Sequence, residues 1–418
     1  MRRIRTVLLV IALSNLVWAL GFRLWEAVFT NFAREELGLG ADQLGWVQAI
    51  REVPGLLGIL VGVMALYVLE MRIAGVSVIL MGVGIALTAT AHDLYALIGV
   101  TLLMSAGFHF FYASNASAVL LTVGPEEAPR VLGRLNSLGA LASLLGTAVI
   151  VVTLGAWGYR NLFLAIGAVV VVGGLVLLPF GRQERQRERR NGLPPLRRRY
   201  WLYYALQFLH GSRRHIFTTF AVFLMVSAYR VPAQVMALLY LVNYMLGTYL
   251  HQAFGGIVAR HGERRVLTVN FVLLAVIFLG YAFLPLIGAL ARPAWEAPAL
   301  ALGGWPLFPA FTATPVLLIL MVLFVADNIL FGFAIALECY FQKIVLDRRE
   351  ITANVSMGQT MNHIAAVVIP VVGGVVWTTL GPQYTFLSGV VIVVVALGLT
   401  QLMRVPPAGP SAGTGAMA

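Results

Sequence analysis

The chain has 418 residues, of which 60% are hydrophobic and only 11% charged, and its mean hydropathy is +0.88. Soluble domains carry roughly a quarter charged residues, so this composition excludes a soluble globular protein and indicates an integral membrane protein. The net charge of +12 does not indicate a nucleic-acid partner, because the arginines lie in short loops between apolar segments and not on one solvated face.

Two rare residue types exclude further classes of site. Lys343 is the only lysine, so the chain has no Walker A loop, in which a lysine follows the glycines and reaches the phosphates. Cys339 is the only cysteine, which excludes an internal disulfide and a CxxC metal site. The sequence also lacks an HExxH motif. We therefore expect no enzyme activity and no cofactor, and any uphill transport has to be driven by a gradient or by another subunit.

Long apolar runs predict twelve transmembrane helices, because about 20 helical residues cross a hydrocarbon core about 30 Å thick. Apolar and polar residues do not alternate within these runs, which excludes a transmembrane β-barrel. The first run has the basic start of a signal peptide, but it continues through Phe29, so we interpret it as an uncleaved first span. The predicted spans cover residues 7–31, 43–68, 73–91, 95–122, 133–155, 161–181, 200–227, 233–259, 265–289, 313–341, 352–378 and 384–404.

The loop charges predict the orientation of the chain. One set of alternate loops carries only Arg34, Arg160, Arg230 and Arg292, whereas the central loop of the other set alone carries eight arginines. By the positive-inside rule, both termini are cytoplasmic. We expect a multi-pass protein of a prokaryotic plasma membrane, the inner membrane in a Gram-negative cell. The proline-rich external loop 291–315 is interpreted as a segment lying on the outer leaflet, with a lid over a substrate as the alternative.

An internal repeat divides the chain into two halves of six spans. The tripeptide at Gly21–Arg23 matches that at Gly211–Arg213, and the segment from Ala41 matches that from Pro232. We expect a first bundle at 1–181, a basic cytoplasmic linker at 182–199, a second bundle at 200–404 and a disordered tail at 405–418. Two parallel six-helix repeats are typical of transporters, with the binding site between the halves near the midplane.

The loop between spans eight and nine, "GGIVARHGERR", carries a specific pattern of glycines and arginines. The matching residues are Gly256, Arg260, Gly262, Arg264 and Arg265. This loop and the 6+6 layout resemble the major facilitator superfamily of secondary transporters, with no subfamily identified. The resemblance implies a central cavity lined by spans one, four, seven and ten, and transport by rocking of the two halves.

Ionisable residues at membrane depth are costly, so each one is a candidate functional residue. Arg23 and Arg213 are repeat mates, and His109 and Asp327 lie at matched positions of spans four and ten. By the resemblance, these four side chains meet at the cavity. Paired guanidinium groups suit a carboxylate or phosphate, which predicts a small organic anion as substrate. The candidate substrate-binding residues are Arg23, Arg213, Arg214, His215, His109 and Asn362.

Proton coupling is expected at Asp327, His109 and Glu26, because burial and nearby charges tune when carboxyl and imidazole groups exchange a proton. Na⁺ is the alternative coupling ion, and a structural ion pair is an equal interpretation of Arg23 with Glu26. Asn362 and His363 are helix neighbours about 100° apart, so the sequence leaves open which of them faces the cavity. The residues interpreted as gating or structural charges are Arg51, Glu52, Glu338, Arg260 and Arg264.

These residues predict a proton-coupled transporter of a small organic anion, working as a monomer in the lipid bilayer without a nucleic-acid partner. The alternative is a proton-antiporting exporter of drug-like or amphipathic compounds. We expect no metal site, because nearby arginines would repel a metal held by side chains such as His109, Asp327, Glu26 and His363.

Overall fold

Helices cover all twelve predicted spans in the computed structural model, which describes residues 2–57, 59–64, 67–122, 128–180, 198–346 and 351–404. Helices satisfy their own backbone groups, as a hydrocarbon environment requires. Those of the first half are α1 (Arg2–Glu35), α2 (Ala41–Arg51), α3 (Val53–Leu56), α4 (Ile59–Met64), α5 (Glu70–Thr88), α6 (Leu94–Thr122) and α7 (Ala128–Leu177). Those of the second half are α8 (Trp201–Ile216), α9 (Val222–Ala228), α10 (Ala233–His261), α11 (Glu263–Phe283), α12 (Pro315–Phe331), α13 (Ile335–Ile344), α14 (Ile351–Leu380) and α15 (Pro382–Thr400).

Eight helical stretches among the described residues are long and apolar enough to cross a membrane by themselves. The remaining four predicted spans differ for visible reasons. Two of them are interrupted helices, α7 joins two spans, and the apolar stretch of α10 that qualifies is shorter, Ala233–Gly247. The predicted linker 182–199 lies outside the described residues apart from its last two, and the predicted tail 405–418 lies wholly outside them.

The second predicted span is not one helix. It consists of α2, α3 and α4, and the first break falls at Glu52, two residues before Pro54. Proline cannot donate a backbone hydrogen bond and its ring clashes with the preceding turn. The released carbonyl of Arg51 accepts a hydrogen bond from the Ser105 hydroxyl of α6 instead. The break therefore places Arg51 and Glu52 where helix α2 ends.

Helix α7 contains both the fifth and the sixth predicted span. The two parts meet at Gly158, whose φ of 69° is in the left-handed region. Glycine adopts this conformation without the steric cost of a Cβ. The tight connection therefore replaces a loop between these two spans.

Two further spans depart from regular α-helix near the middle of the bundle. A π-helical segment, Phe217–Ala221, separates α8 from α9, and a 3₁₀ turn, Gly332–Ala334, separates α12 from α13. Such insertions in helices are frequent at functional sites. Both lie in spans seven and ten, the two that carry Arg213 and Asp327.

The loop 291–315, which the loop charges predict to be external, forms two small antiparallel sheets, which neither interpretation of the sequence included. Strand β1 (Trp295–Ala297) pairs with β4 (Phe311–Ala313), and β2 (Leu300–Leu302) pairs with β3 (Trp305–Phe308). Strand β3 packs on α7, and the Trp305 indole N–H donates to the Val152 carbonyl. The loop thus extends from the second half onto the first, and the all-α expectation holds for the spans but not for this segment.

Two six-helix bundles pack against each other along a seam. In the first half, α5 packs on α6 and α7, and α1 packs on α7; in the second, α8 packs on α14, and α11 packs on α15. Helices α2 and α14, α7 and α10, and α1 and α10 join the halves. Gly45 and Gly374 lie where α2 crosses α14, and a Cβ at either position would collide with backbone of the other helix. Close approach of small residues is a common basis of helix association in membranes.

A fully buried ion pair joins α8 to α12 inside the second half. Arg213 Nη1 donates to Asp327 Oδ1 at 2.9 Å, and neither side chain is exposed. The Arg213 Nε and Nη2 atoms and Asp327 Oδ2 have no further hydrogen-bond partner among the described residues. Each charge therefore depends on the other for compensation in an apolar interior.

We expect Asp327→Leu to destabilise the protein strongly, because loss of one partner of a buried pair costs about 3–5 kcal/mol. Arg213→Met combined with Asp327→Leu removes both charges and is expected to be the more stable variant. Thermal unfolding of the purified variants in detergent measures the difference. Equal losses of Tm in the single and double variants would contradict a buried, mutually compensating pair.

Candidate functional site

A cavity of about 540 Å³ lies between the two halves. Its lining comes from helices of both bundles, from α1 and α2 to the π-helical segment and α12. Aromatic and polar side chains alternate around it. The aromatic lining includes Trp18, Trp25, Phe29, Tyr112, Tyr240, Tyr244, Phe254, Phe324 and Phe331, and the charged or titratable lining consists of Arg23, Glu26, Arg51, Arg214 and His215.

Arg23 and Glu26 are one turn apart on α1 and form an ion pair in the cavity. Arg23 Nη1 lies 2.7 Å from Glu26 Oε2. The Arg23 guanidinium also lies 5.5 Å from the ring centre of Tyr244 on α10, in the opposite half. The sequence predicts both residues at the cavity, and they line it.

Adjacent arginines on α8 face different ways. Neighbours on a helix are about 100° apart, so Arg213 faces Asp327 of α12 while Arg214 lines the cavity. Arg213 and Asp327 do not line the cavity themselves. The arginine of α8 that lines the cavity is therefore Arg214, one residue beyond the repeat mate of Arg23 that the sequence predicts.

Arg214 is the cavity guanidinium without a carboxylate partner among the described residues. It lies 3.5 Å from the ring centre of Phe331, in a cation–π contact, and its Nη1 atom is buried without a hydrogen-bond partner. The other two cavity arginines each form an ion pair with a carboxylate. Arg23 pairs with Glu26, and Arg51 Nη2 lies 2.8 Å from Glu52 Oε1. The uncompensated positive charge of the cavity is thus concentrated at Arg214.

His215 lines the cavity beside Arg214, and the Asn362 side chain hydrogen-bonds to it from α14. Asn362 is not itself part of the lining, and neither is His363. The sequence left open which of the two residues faces the cavity, and in the structure neither of them lines it. Asn362 contacts His215 at the cavity. His363 of α14 contacts Glu52, which belongs to the first half, across the seam.

His109 does not join the predicted quartet with Arg23, Arg213 and Asp327. It lies behind the cavity with Glu52 and with His363 of the second half. Glu52 Oε2 is 3.2 Å from His363 Nδ1 and 3.7 Å from His109 Nε2. The prediction of one central cluster is wrong, because the charges pair with the nearest opposite group, on the same helix or on a neighbouring one, and form three separate sets.

The predicted gating charges other than Arg51 and Glu52 lie away from the cavity. Glu338 accepts a hydrogen bond from Gln207 at 2.8 Å and contacts the Tyr203 hydroxyl. Arg260 is exposed at the end of α10, and Arg264 donates to Gln401. Their positions support structural contacts at the ends of the second bundle.

Several lining residues were not singled out from the sequence. Among them are Gln48, Thr218, Asn328 and Phe331. Asn328 follows Asp327, and Thr218 is one turn after Arg214, so the helical spacing of polar residues was an available signal. Phe331 gave none, since an aromatic residue in an apolar run is usually a packing residue.

Thr218→Cys is expected to react with a charged, membrane-impermeant thiol reagent, because Thr218 lines the cavity. The reaction is carried out on membrane fragments, in which the reagent reaches both membrane surfaces. Ser212→Cys is the matched control, since Ser212 lies on the same span but is buried. Both variants are made with Cys339 replaced by serine, and labelling is read by mass spectrometry. Equal labelling of the two positions would contradict this orientation of the span.

Solved structures of similar fold include membrane transporters. A mutant form of the nucleoside transporter NupG matches with a TM-score of 0.72 and 15% identity, over 95% of this chain and 99% of that chain. A bacterial homolog to the human lysosomal transporter Spinster, in an inward-facing and occupied conformation, matches with a TM-score of 0.66 and 15% identity, over 96% of each chain. At this identity the likeness establishes the fold alone.

Sequence comparison gives the family directly. None of the curated proteins matches the chain significantly by sequence. The family model of the Major Facilitator Superfamily matches residues 7–304, which is more than half of the chain. The two six-helix bundles, the cavity between them and this match agree, and the chain belongs to the Major Facilitator Superfamily.

Proposed function

We propose that this transporter moves a small organic anion, with an aromatic or apolar portion, by proton-coupled secondary transport. The observation that carries the proposal is Arg214, an unpaired guanidinium facing a cavity of small-molecule size. A partly buried cation without a carboxylate in contact is costly. An anionic substrate supplies the missing charge, and its affinity for the cavity follows from the same cost.

The remaining lining defines the rest of the substrate. Known ligand sites are about 300–1,000 Å³ and combine many apolar groups with a few fixed polar ones. Here Tyr240 and Phe331 provide aromatic faces, and Gln48, Asn243 and Asn328 provide amides that both donate and accept. This lining favours a molecule with a flat or apolar body and an anionic group directed at Arg214.

Proton coupling is proposed at Glu26, with Arg23 as its partner. A proton on Glu26 neutralises the carboxylate and releases Arg23, which then becomes a second free cation in the cavity. The proton and the anion consequently strengthen each other's binding, as linkage requires. Asp327 is less suited to this role than the sequence predicts, because its side chain is wholly buried against Arg213.

Transport by alternating access requires the seam to open on each side in turn. Asn31 of α1 donates to the Val231 carbonyl at 3.0 Å, and Glu52 contacts His363, so both contacts cross between the halves. We propose that they close the external side, with both termini in the cytoplasm of a prokaryotic cell and the protein acting as a monomer. An anion bridging Arg23 and Arg214 would draw the halves together and permit the exchange.

Two other substrate classes share part of this chemistry. An exporter of amphipathic compounds would use the aromatic lining, and a nucleoside carrier such as the one named among the solved structures would use aromatic faces and amides. Neither requires an unpaired cation. Transport of neutral or cationic compounds that survives the loss of Arg214 would favour these alternatives over the anion.

We expect Arg214→Gln to weaken anion binding roughly 10- to 150-fold, since a hydrogen bond to a charged group contributes about 1.5–3 kcal/mol. Uptake of a panel of carboxylates and organic phosphates into proteoliposomes under an imposed pH gradient measures the effect. Arg292→Gln, in the exposed external loop, is the matched loss of one positive charge and is expected to transport normally. Equal uptake by the two variants would overturn the assignment of Arg214.

Glu26→Gln is expected to make anion binding insensitive to pH, because glutamine resembles the protonated carboxyl group. In the unmodified protein, anion affinity should be higher when Glu26 carries a proton than when its carboxylate pairs with Arg23, so affinity should fall as the pH rises. Titration of binding by intrinsic tryptophan fluorescence at each pH gives both curves. Glu36→Gln, whose parent residue pairs with Arg160 away from the cavity, should keep the pH dependence; a pH-dependent Glu26→Gln variant would place the coupling elsewhere.

A further inference from the structure

We propose that Glu52, His109 and His363 form a binding site for a divalent transition-metal ion, with Zn²⁺ as the reference ion, on the seam between the two halves. Glu52 and His109 belong to the first half and His363 to the second. One ligand atom from each residue lies within 4.8 Å of the other two. Two imidazoles and a carboxylate are a donor set that suits Zn²⁺ and its neighbours, and not Mg²⁺ or Ca²⁺.

The distances require little movement to accept an ion. Tetrahedral bonds of about 2.1 Å place neighbouring ligand atoms about 3.4 Å apart. Glu52 Oε2 is already 3.2 Å from His363 Nδ1 and 3.7 Å from His109 Nε2. The two imidazole nitrogens lie within 4.8 Å of each other, so they have at most about 1.4 Å to close. A fourth position would remain for water.

The hydrogen bonds around His109 direct a lone pair into this site. The Ser105 hydroxyl gives its single proton to the Arg51 carbonyl. Both Ser105 oxygens that lie 3.0 Å from His109 Nδ1 therefore act as acceptors, so Nδ1 carries the ring proton. In the neutral ring, Nε2 is then an unprotonated acceptor that faces the carboxylate of Glu52. Two acceptors facing each other at this distance leave a place for a cation between them.

Neighbouring groups orient the ligands in the way that metal sites usually require. Arg51 holds Glu52 Oε1 at 2.8 Å, which leaves Oε2 for the ion. Gly55 provides room, because a Cβ there would lie 2.7 Å from the His363 ring and 2.9 Å from the His109 ring. A quarter of the His363 side chain is exposed, which provides an entry path. Arg51 also repels a cation, so we expect micromolar and not nanomolar affinity.

Because the ligands come from both halves, a bound ion would hold α2 and α6 to α14. It would inhibit any conformational change that separates these helices, whatever the substrate. The site is thus an inhibitory clamp and not a catalytic centre. Its existence does not depend on the anion or on Glu26.

The test is Zn²⁺ binding to the purified, tag-free protein in detergent, by isothermal titration at neutral pH, with Mg²⁺ as the ion that should not bind. We expect one site, weakened at least about tenfold in His109→Ala and in His363→Ala. His92→Ala, which removes an exposed histidine that is not part of this cluster, should bind as the unmodified protein does.

The visible absorption of bound Co²⁺ reports the ligand geometry independently of heat effects and of transport. A tetrahedral spectrum that is lost in His363→Gln and retained in His92→Ala would support the site. Absence of Zn²⁺ binding below millimolar concentration, or equal binding by the His363→Ala, His363→Gln and unmodified proteins, would overturn it.

Discussion

A charge in the hydrocarbon interior has to find an opposite charge or face water, and this constraint orders the whole structure. Insertion of a single arginine or aspartate at the centre of a span costs about 2.5–3.5 kcal/mol even on the mildest scales. Arg213 meets Asp327, Arg23 meets Glu26, and Arg51 meets Glu52. Once these pairs are formed, Arg214 is the guanidinium of the cavity that is left without a carboxylate among the described residues. The proposed specificity for an anion follows from this one arginine that has no carboxylate partner.

These ion pairs differ in their exposure, and this difference separates a structural pair from one that a ligand can reach. The Arg213–Asp327 pair is wholly buried within one bundle, so it fixes α8 against α12. The Arg23–Glu26 pair is partly exposed in the cavity, where 40% and 29% of the two side chains remain accessible, so a proton or a substrate can reach it. Irregular helix surrounds this region: the break before Pro54, the π-helical segment and the 3₁₀ turn all lie on spans that contribute to the cavity or the seam. Regular helices form the frame, and the interruptions place polar groups between the halves.

Most of the frame was predictable from the sequence, because runs of about 20 apolar residues have few alternatives in a membrane. Pro54 was a sequence signal for the break in the second span, but the sequence analysis predicted that span as continuous. The external hairpins were missed because their strands are three or four residues long and prolines interrupt the pattern. Within the site, Arg23, Glu26, Arg214 and His215 were predicted at the cavity and line it.

Other parts of the site depend on information that one sequence does not contain. Whether Arg213 or Arg214 faces the cavity is a question of helix rotation, and two adjacent arginines carry no sign of it. The meeting of Glu52, His109 and His363 depends on three helices that are far apart in the chain and on the seam between the bundles. Alignment of the internal repeat relates equivalent positions, but it does not say which side chains touch.

The central claim is that Arg214 holds the anionic group of the substrate. The most direct measurement is a structure of the protein with a transported anion bound, determined by cryo-electron microscopy with a rigid antibody fragment as a fiducial. The account predicts density for the carboxylate or phosphate within hydrogen-bonding distance of Arg214, with the body of the molecule against Tyr240 and Phe331. An anionic group bound elsewhere, or a substrate whose neutral portion faces Arg214, would contradict it.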